Sequence, residues 1–219
     1  TRRNLAVSSS DARKIYDGSP LTTGSMENQG IIVGGDGFAA GEGAVFTLKG
    51  SQTVPGTSEN TFTLTLNAGT ESGDYDITST YGKLEVLSRS DDSLYEIDVT
   101  AESLTAMYDG ADHTVETLKG LQAMVEDHQY TVSGLSVSTT ARNAGTYDII
   151  PTGAAKVTDE NNNDVTSQFK VNIYPGKLKV EKRNVTLTSA TAAKEYNGEA
   201  LTSRTVTVSG DGFADGEGA

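Results

Sequence analysis

Thr61-Phe62-Thr63-Leu64-Thr65-Leu66 places Phe62, Leu64 and Leu66 on one side of an extended chain and three threonines on the other. A strict period of two over six residues is the mark of a strand with one face buried and one face wet, as in an antiparallel sheet. Thr205-Val206-Thr207-Val208 repeats the device. Around such stretches stand turn formers: Asp17-Gly18, Asp109-Gly110 and Asn197-Gly198 are strong short-range turn signals. Tyr occurs nine times and Gly 24 times, whereas Trp is absent, a balance that favours strands joined by tight turns. One segment, Val115 to Gln129, also offers Leu118, Leu121 and Val125 to one face of a short helix. The strand-like Tyr130-Thr131-Val132 and a turn at Glu126-Asp127-His128-Gln129 favour a hairpin there instead.

Self-similarity organises these elements. Tyr-(Asp/Asn)-Gly occurs at Tyr16-Asp17-Gly18, Tyr108-Asp109-Gly110 and Tyr196-Asn197-Gly198, with the tyrosines 92 and 88 residues apart. An alternating stretch precedes each: Leu5-Ala6-Val7, Ile97-Asp98-Val99 and Val185-Thr186-Leu187. The first and third copies share Arg-Asn at Arg3-Asn4 and Arg183-Asn184. They also share the run Gly35 to Ala44 with Gly210 to Ala219 at nine of ten positions, Ala40 against Asp215 being the exception. Copies one and two close alike, on Gly82-Lys83-Leu84-Glu85-Val86 and Gly176-Lys177-Leu178-Lys179-Val180. The organisation expected is a first repeat over 1–88, a second over 89–182, and a truncated third over 183–219 that resembles the first. The third lacks counterparts of Val45 to Leu87, so exposed edges are expected there, and Thr1 reads as the start of an excised piece.

About 90 residues suits a small β-sandwich. The fold class expected is all-β: tandem small antiparallel β-sandwich repeats, immunoglobulin-like or β-grasp-like, arranged end to end. Both topologies fit the periodicity. Only Ser88–Leu94 and Lys182 join successive units, and joints so short limit hinge freedom.

Charge narrows the partners. Lys and Arg number 17 against 30 Asp and Glu, giving a net charge of −13. That sign repels phosphate backbones and anionic membrane surfaces, so neither nucleic acid nor membrane is an expected partner. No apolar run approaches the roughly 18 residues a membrane helix needs. Cysteine is absent, which removes disulfides, thiolate nucleophiles and Cys-ligated metals together.

The Tyr-Asp-Gly turn, Asn143-Ala144-Gly145-Thr146-Tyr147, Asp164-Val165-Thr166 and the closing Gly-Lys-Leu-Lys-Val resemble the tandem YDG or MBG-type repeats of very large surface proteins of Firmicutes and related gut bacteria. The likeness spans essentially the whole chain. It implies a secreted protein at the bacterial cell surface or cell wall, with repeats forming the stalk of an adhesin. It also implies that glycan or mucin binding resides in other parts of such a protein.

Several side chains are of types that can carry chemistry. His113 and His128 are the only histidines, without a His-x-x-x-His pair, and read as turn or edge residues. Asp36 to Glu42 and Asp211 to Glu217 resemble acidic calcium loops. Asp211, Asp215 and Glu217 offer three carboxylates, but Ala40 removes the middle one from the first copy, so structural glycine-rich loops pinned by Phe38 and Phe213 are expected. Asp159-Glu160-Asn161-Asn162-Asn163-Asp164 reads as an exposed hairpin tip. Lys14 and Lys194 align upstream of the tyrosine turn, yet the second repeat has Leu104 or a neighbour there, which argues against a repeated Lys–Asn isopeptide bond. Tyr16, Tyr108 and Tyr196 could stack on sugars, but a tyrosine recurring at one place reads better as a packed corner whose hydroxyl is hydrogen-bonded. No catalytic, cofactor or metal residue is assigned, no cofactor is expected, and the chain is read as non-enzymatic. The expected function is a structural stalk or spacer that displays another domain away from the wall. The alternative is that the repeats themselves bind glycan, mucin or a host protein.

Overall fold

A computed structural model describes residues 1–24 and 30–218. It is all-β, with three short 3-10 turns as its helical content among the described residues. The opening strand Arg3–Ser9 lies between Ile31–Gly35, antiparallel to it, and Tyr75–Thr80, parallel to it. Leu5 and Val7 point inward from it and are fully buried, while Asn4 is exposed, so the alternation of the sequence becomes one dry and one wet face. Strand Ala44–Leu48 pairs with Phe62–Leu66, and the Phe46 and Phe62 rings meet edge-on at 6.1 Å. Leu5, Val7, Phe46, Phe62 and Tyr75 form one core cluster. A second sheet sets Lys83–Leu87 between Ala12–Ile15, parallel, and Gly56–Glu59, antiparallel.

Parallel pairings qualify the purely antiparallel sheets expected from the alternation. Opening and closing strands of a repeat are some seventy residues apart, which leaves ample chain for the crossover that parallel neighbours require. The second repeat uses the same device: Leu104–Met107 runs parallel to Gly176–Glu181, whose other neighbour is the antiparallel strand Gly145–Ile149.

Val115 to Gln129 contains no helix. Leu118–Lys119 pairs with the opening strand Tyr95–Ala101, and Gln122–Val125 forms a hairpin with the start of His128–Ser136. The two-residue turn is Glu126-Asp127, with φ of 48° and 65°. Two successive positive angles are what a right-twisted hairpin of this length demands, here without the usual glycine.

The chain forms two compact units. One comprises Thr1–Ile97, Gln122–Val132 and Lys156–Lys170; the other comprises Asp98–Leu121, Ser133–Ala155 and Val171–Ala219. In the second, Ala101, Val115, Val137, Ala141, Ile149, Leu178 and Val180 form the core cluster. Its last stretch contributes one hairpin, Val185–Ser189 with Val206–Gly210. Leu187 and Val208 on it are 51% and 46% exposed, so this copy of the opening hairpin carries no closed core of its own.

Candidate functional site at the repeat joints

Each Tyr-Asx-Gly turn is built locally. In the first, Asp17 Oδ1 accepts hydrogen bonds from the Ser19 backbone N–H at 2.9 Å and from Lys14 Nζ at 2.6 Å. In the second, Asp109 Oδ1 accepts from Ala111 N–H at 2.9 Å, with His113 Nε2 3.1 Å away. In the third, Asn197 Oδ1 accepts from Glu199 N–H and Lys194 Nζ. The glycines follow at φ of 85°, 79° and 80°, a left-handed conformation open to glycine at little cost. Burial alone would raise the Asp17 carboxyl, but the Lys14 ammonium and Ser19 donors outweigh it and hold it below the ordinary range. The Asp109 carboxyl is lowered too, chiefly by the Ala111 N–H.

The first turn is packed. Tyr16 N–H bonds Leu87 O at 2.9 Å, extending the ladder of the closing strand. Its ring is 1% exposed, and its hydroxyl lies 3.2 Å from that of the equally buried Tyr130. Phe169 stacks obliquely on Tyr130 at 4.6 Å and on Tyr95 at 5.7 Å. Arg89 ties the turn to the segment after the closing strand: Nη1 donates to Tyr16 O at 3.0 Å, Nε to Ser93 O, and the guanidinium sits 4.0 Å above the Tyr95 ring. Buried Gln168 completes it, accepting from Arg89 N–H at 2.8 Å and donating to Ser167 and Ser88 hydroxyls. Burial first, then the bond to Tyr130, pushes the Tyr16 hydroxyl far above the ordinary phenol range, and burial likewise raises Tyr130.

The second turn repeats the plan with other parts. Tyr108 N–H bonds Glu181 O at 2.8 Å. Arg183 Nη1 donates to Tyr108 O at 3.3 Å, while Nε reaches Gly212 O and Nη2 reaches Asp211 O. Tyr108 is half-buried, and its hydroxyl donates to Glu217 Oε1 at 2.5 Å, an acceptor that raises its pKa. Beside it lies an open groove of about 380 Å3, bordered by Tyr108, Asn143, Lys182, Arg183 and Phe213.

The other candidates sit apart from these joints or on their rims. Lys194 and Asn197 face each other at 2.7 Å, but on an exposed turn, and Lys14 faces Asp17 rather than an asparagine. His128 lies against the first turn, its Cδ2 2.7 Å from where a Cβ on Gly18 would stand, and pairs with Glu160 across 3.9 Å. Asp159 folds the exposed 159–164 tip back on itself by accepting from Asn161 and Asn163. Phe38 packs on Tyr75 at 5.4 Å, whose hydroxyl bridges Ala39 N–H and Glu42 and so pins the Asp36 to Glu42 loop. Among the described residues no group of three or more His, Asp or Glu side chains is disposed to hold a metal ion.

Arg89 and Gln168 were not singled out from the sequence. Arg89 follows Gly82 by seven residues, as Arg183 follows Gly176, and that shared offset is the signal for both arginines. No family model, no curated protein and no solved structure matches the chain.

Proposed function

We propose that this chain is a set of spacer repeats from a bacterial cell-surface protein of the YDG or MBG type, a non-enzymatic stalk that displays another domain away from the cell wall. The observation that carries the reading is the arginine clasp. At both joints a guanidinium next to the closing strand binds the main-chain carbonyl of the tyrosine that ends the preceding ladder. A spacer has to transmit position along its length, and direct stitching serves that better than a Gly/Ser linker, which behaves as a random coil. In this reading the repeats are tandem sandwiches arranged end to end, outside the cell, with the acidic surface keeping them hydrated.

Small-angle scattering on the whole chain tests it. The expected maximum dimension is well above that of a globular protein of the same mass, and a value near the globular one removes the spacer reading. The groove beside Tyr108 supports a second reading, in which a repeat joint binds glycan, because an aromatic edge flanked by arginine, lysine and asparagine suits a sugar. A glycan array probed with the intact chain and with Tyr108→Ala discriminates: binding lost in the variant favours that reading over a pure spacer.

A further inference from the structure

Ile31–Gly35 is the outer strand of its sheet, with Arg3–Ser9 as its neighbour on one side. Ser10 N–H bonds Gly30 O at 2.9 Å and Asp36 N–H bonds Asn4 O at 2.7 Å, which fixes the phase of the ladder. Bonded residues alternate in an antiparallel pair, so Ile32 and Gly34 turn their main-chain groups to Ser8 and Ala6. Ile31 and Val33 turn theirs outward, and among the described residues no main-chain bond reaches them from that side. An open row of donors and acceptors invites another strand, and a charge or a proline usually guards it. Ile31-Ile32-Val33-Gly34-Gly35 has neither. Ile32 is 61% exposed and Val33 is 40% exposed.

The second repeat guards the same place. There Leu118–Lys119 is the outer neighbour of the opening strand, and Lys119 stands opposite Thr100 as Ile32 stands opposite Ser8. Thr100 and Ser8 are counterparts, each following the alternating Ile97-Asp98-Val99 or Leu5-Ala6-Val7. The Lys119 side chain reaches solvent and pairs with Glu102 at 2.8 Å. One register position thus holds a charge in one copy and an exposed isoleucine in the other.

We propose that the Ile31–Val33 edge pairs antiparallel with the same edge of a second copy of this chain, about a twofold axis at Ile32. Ile31 and Val33 then exchange both main-chain bonds with Val33 and Ile31 of the second copy. Ile32 faces its own counterpart as a non-hydrogen-bonded pair on the wet face, where two β-branched side chains pack well. A second copy fits better than an unrelated strand because the outward groups are symmetrical about Ile32, so two identical edges satisfy each other. An axis at Ile32 also keeps Gly35, with its φ of 77°, outside the paired stretch. The contact is isologous and closes at two copies. It is small, and each copy carries a net charge of −13, so it forms weakly and strengthens as salt screens the repulsion. Neither the spacer reading nor glycan binding enters into it.

Sedimentation equilibrium of the whole chain over a series of concentrations, at low and high salt, tests it. The expected result is a reversible monomer–dimer equilibrium that tightens with salt. Ile32→Lys, which copies Lys119, weakens it by about tenfold or more through like charges placed opposite each other. Val33→Pro does the same by removing an outward N–H, and leaves the ladder to Arg3–Ser9 intact. Unchanged circular dichroism verifies that both variants fold. The chain has no cysteine, so Ile32→Cys and, as a control on another exposed isoleucine, Ile15→Cys each introduce a single thiol. Under mild oxidation Ile32→Cys cross-links much faster, because the Cα spacing of about 4.5 Å in a non-hydrogen-bonded pair suits a disulfide. A wild-type chain that stays monomeric at every concentration and salt overturns the proposal. So does association that weakens with salt, that grows past two copies or that either edge variant retains, and so do equal cross-linking rates in the two cysteine variants.

Discussion

The joint at Tyr16 and the joint at Tyr108 are made from one plan and finished differently. Both continue a closing ladder through the tyrosine N–H, and both clasp the tyrosine carbonyl with an arginine. At Tyr16 a hairpin supplies Tyr130, and the phenol disappears into an aromatic cluster with Phe169 and Tyr95. At Tyr108 a glycine-rich loop supplies Glu217, and the phenol stays half in water beside an open groove. The main-chain clasp is therefore common to the two turns, while the segment that covers the phenol sets how far its ring is buried. At roughly 25 cal/mol per Å2 of apolar surface, the deeper burial of Tyr16 makes its turn the more firmly held.

Substitution of the two tyrosines sharpens the contrast most. Tyr16→Ala empties a buried aromatic site and is expected to cost about 3–5 kcal/mol in chemical denaturation, enough to uncouple or unfold its unit. Tyr108→Ala is expected to give a distinctly smaller loss; equal losses would break the comparison. Next come the glycines. A Cβ on Gly18 falls 2.5 Å from Tyr130 Oη and 2.7 Å from the His128 ring, whereas on Gly110 the nearest atom is 3.8 Å away. Gly18→Ala is expected to cost about 2–4 kcal/mol through clash plus left-handed strain, and Gly110→Ala about 1 kcal/mol from strain alone. Thermal melts of the two variants side by side measure the difference.

Alkaline titration separates the joints further. The Tyr16 phenol titrates above its ordinary 10.0 in the folded chain, so the folded state holds its proton more tightly than the unfolded state does. The resulting stability is fully present below about pH 10 and declines as pH rises from there towards the folded pKa. Tyr16→Phe is expected to cost about 1 kcal/mol at neutral pH, by removing the partner of the Tyr130 hydroxyl, and to flatten the alkaline decline. A decline as steep as in the wild type assigns it elsewhere. The smallest effect concerns the acidic loops. Melting in excess EDTA and then in millimolar calcium is expected to give one temperature. A ligand of the folded state at a hundredfold excess over its Kd stabilises by about 2.7 kcal/mol, so a rise of several degrees would reveal a calcium site.

The alternation of Phe62, Leu64 and Leu66 was readable because period two depends on neighbours along the chain, and Phe62 is buried while Thr63 and Thr65 are exposed. The tyrosine turns were readable for the same reason: Asp17, Asp109 and Asn197 bond within their own few residues. The hairpin at Glu126-Asp127 was harder to read, because neither turn residue is glycine and Leu118, Leu121 and Val125 also suit a helix face. The parallel pairings and the joints were hidden by distance along the chain. Gln168 meets Arg89 across 79 positions, and Tyr16 meets Tyr130 across 114. A lone glutamine carries no local mark of such a meeting, and the arginines show only in their shared offset from Gly82 and Gly176.

What the clasp recognises has a bearing on how much change the turns tolerate. Arg89 and Arg183 bind a peptide carbonyl, a group every residue owns, just after a strand that runs parallel to its closing strand. Recognition of that kind is indifferent to most side-chain drift. It lets the contact persist while the side chains around it differ, as they do between the Tyr16 and Tyr108 turns. Sequence drift around either turn would then leave the main-chain tie in place, and the surroundings would be free to change before that contact had to be refined.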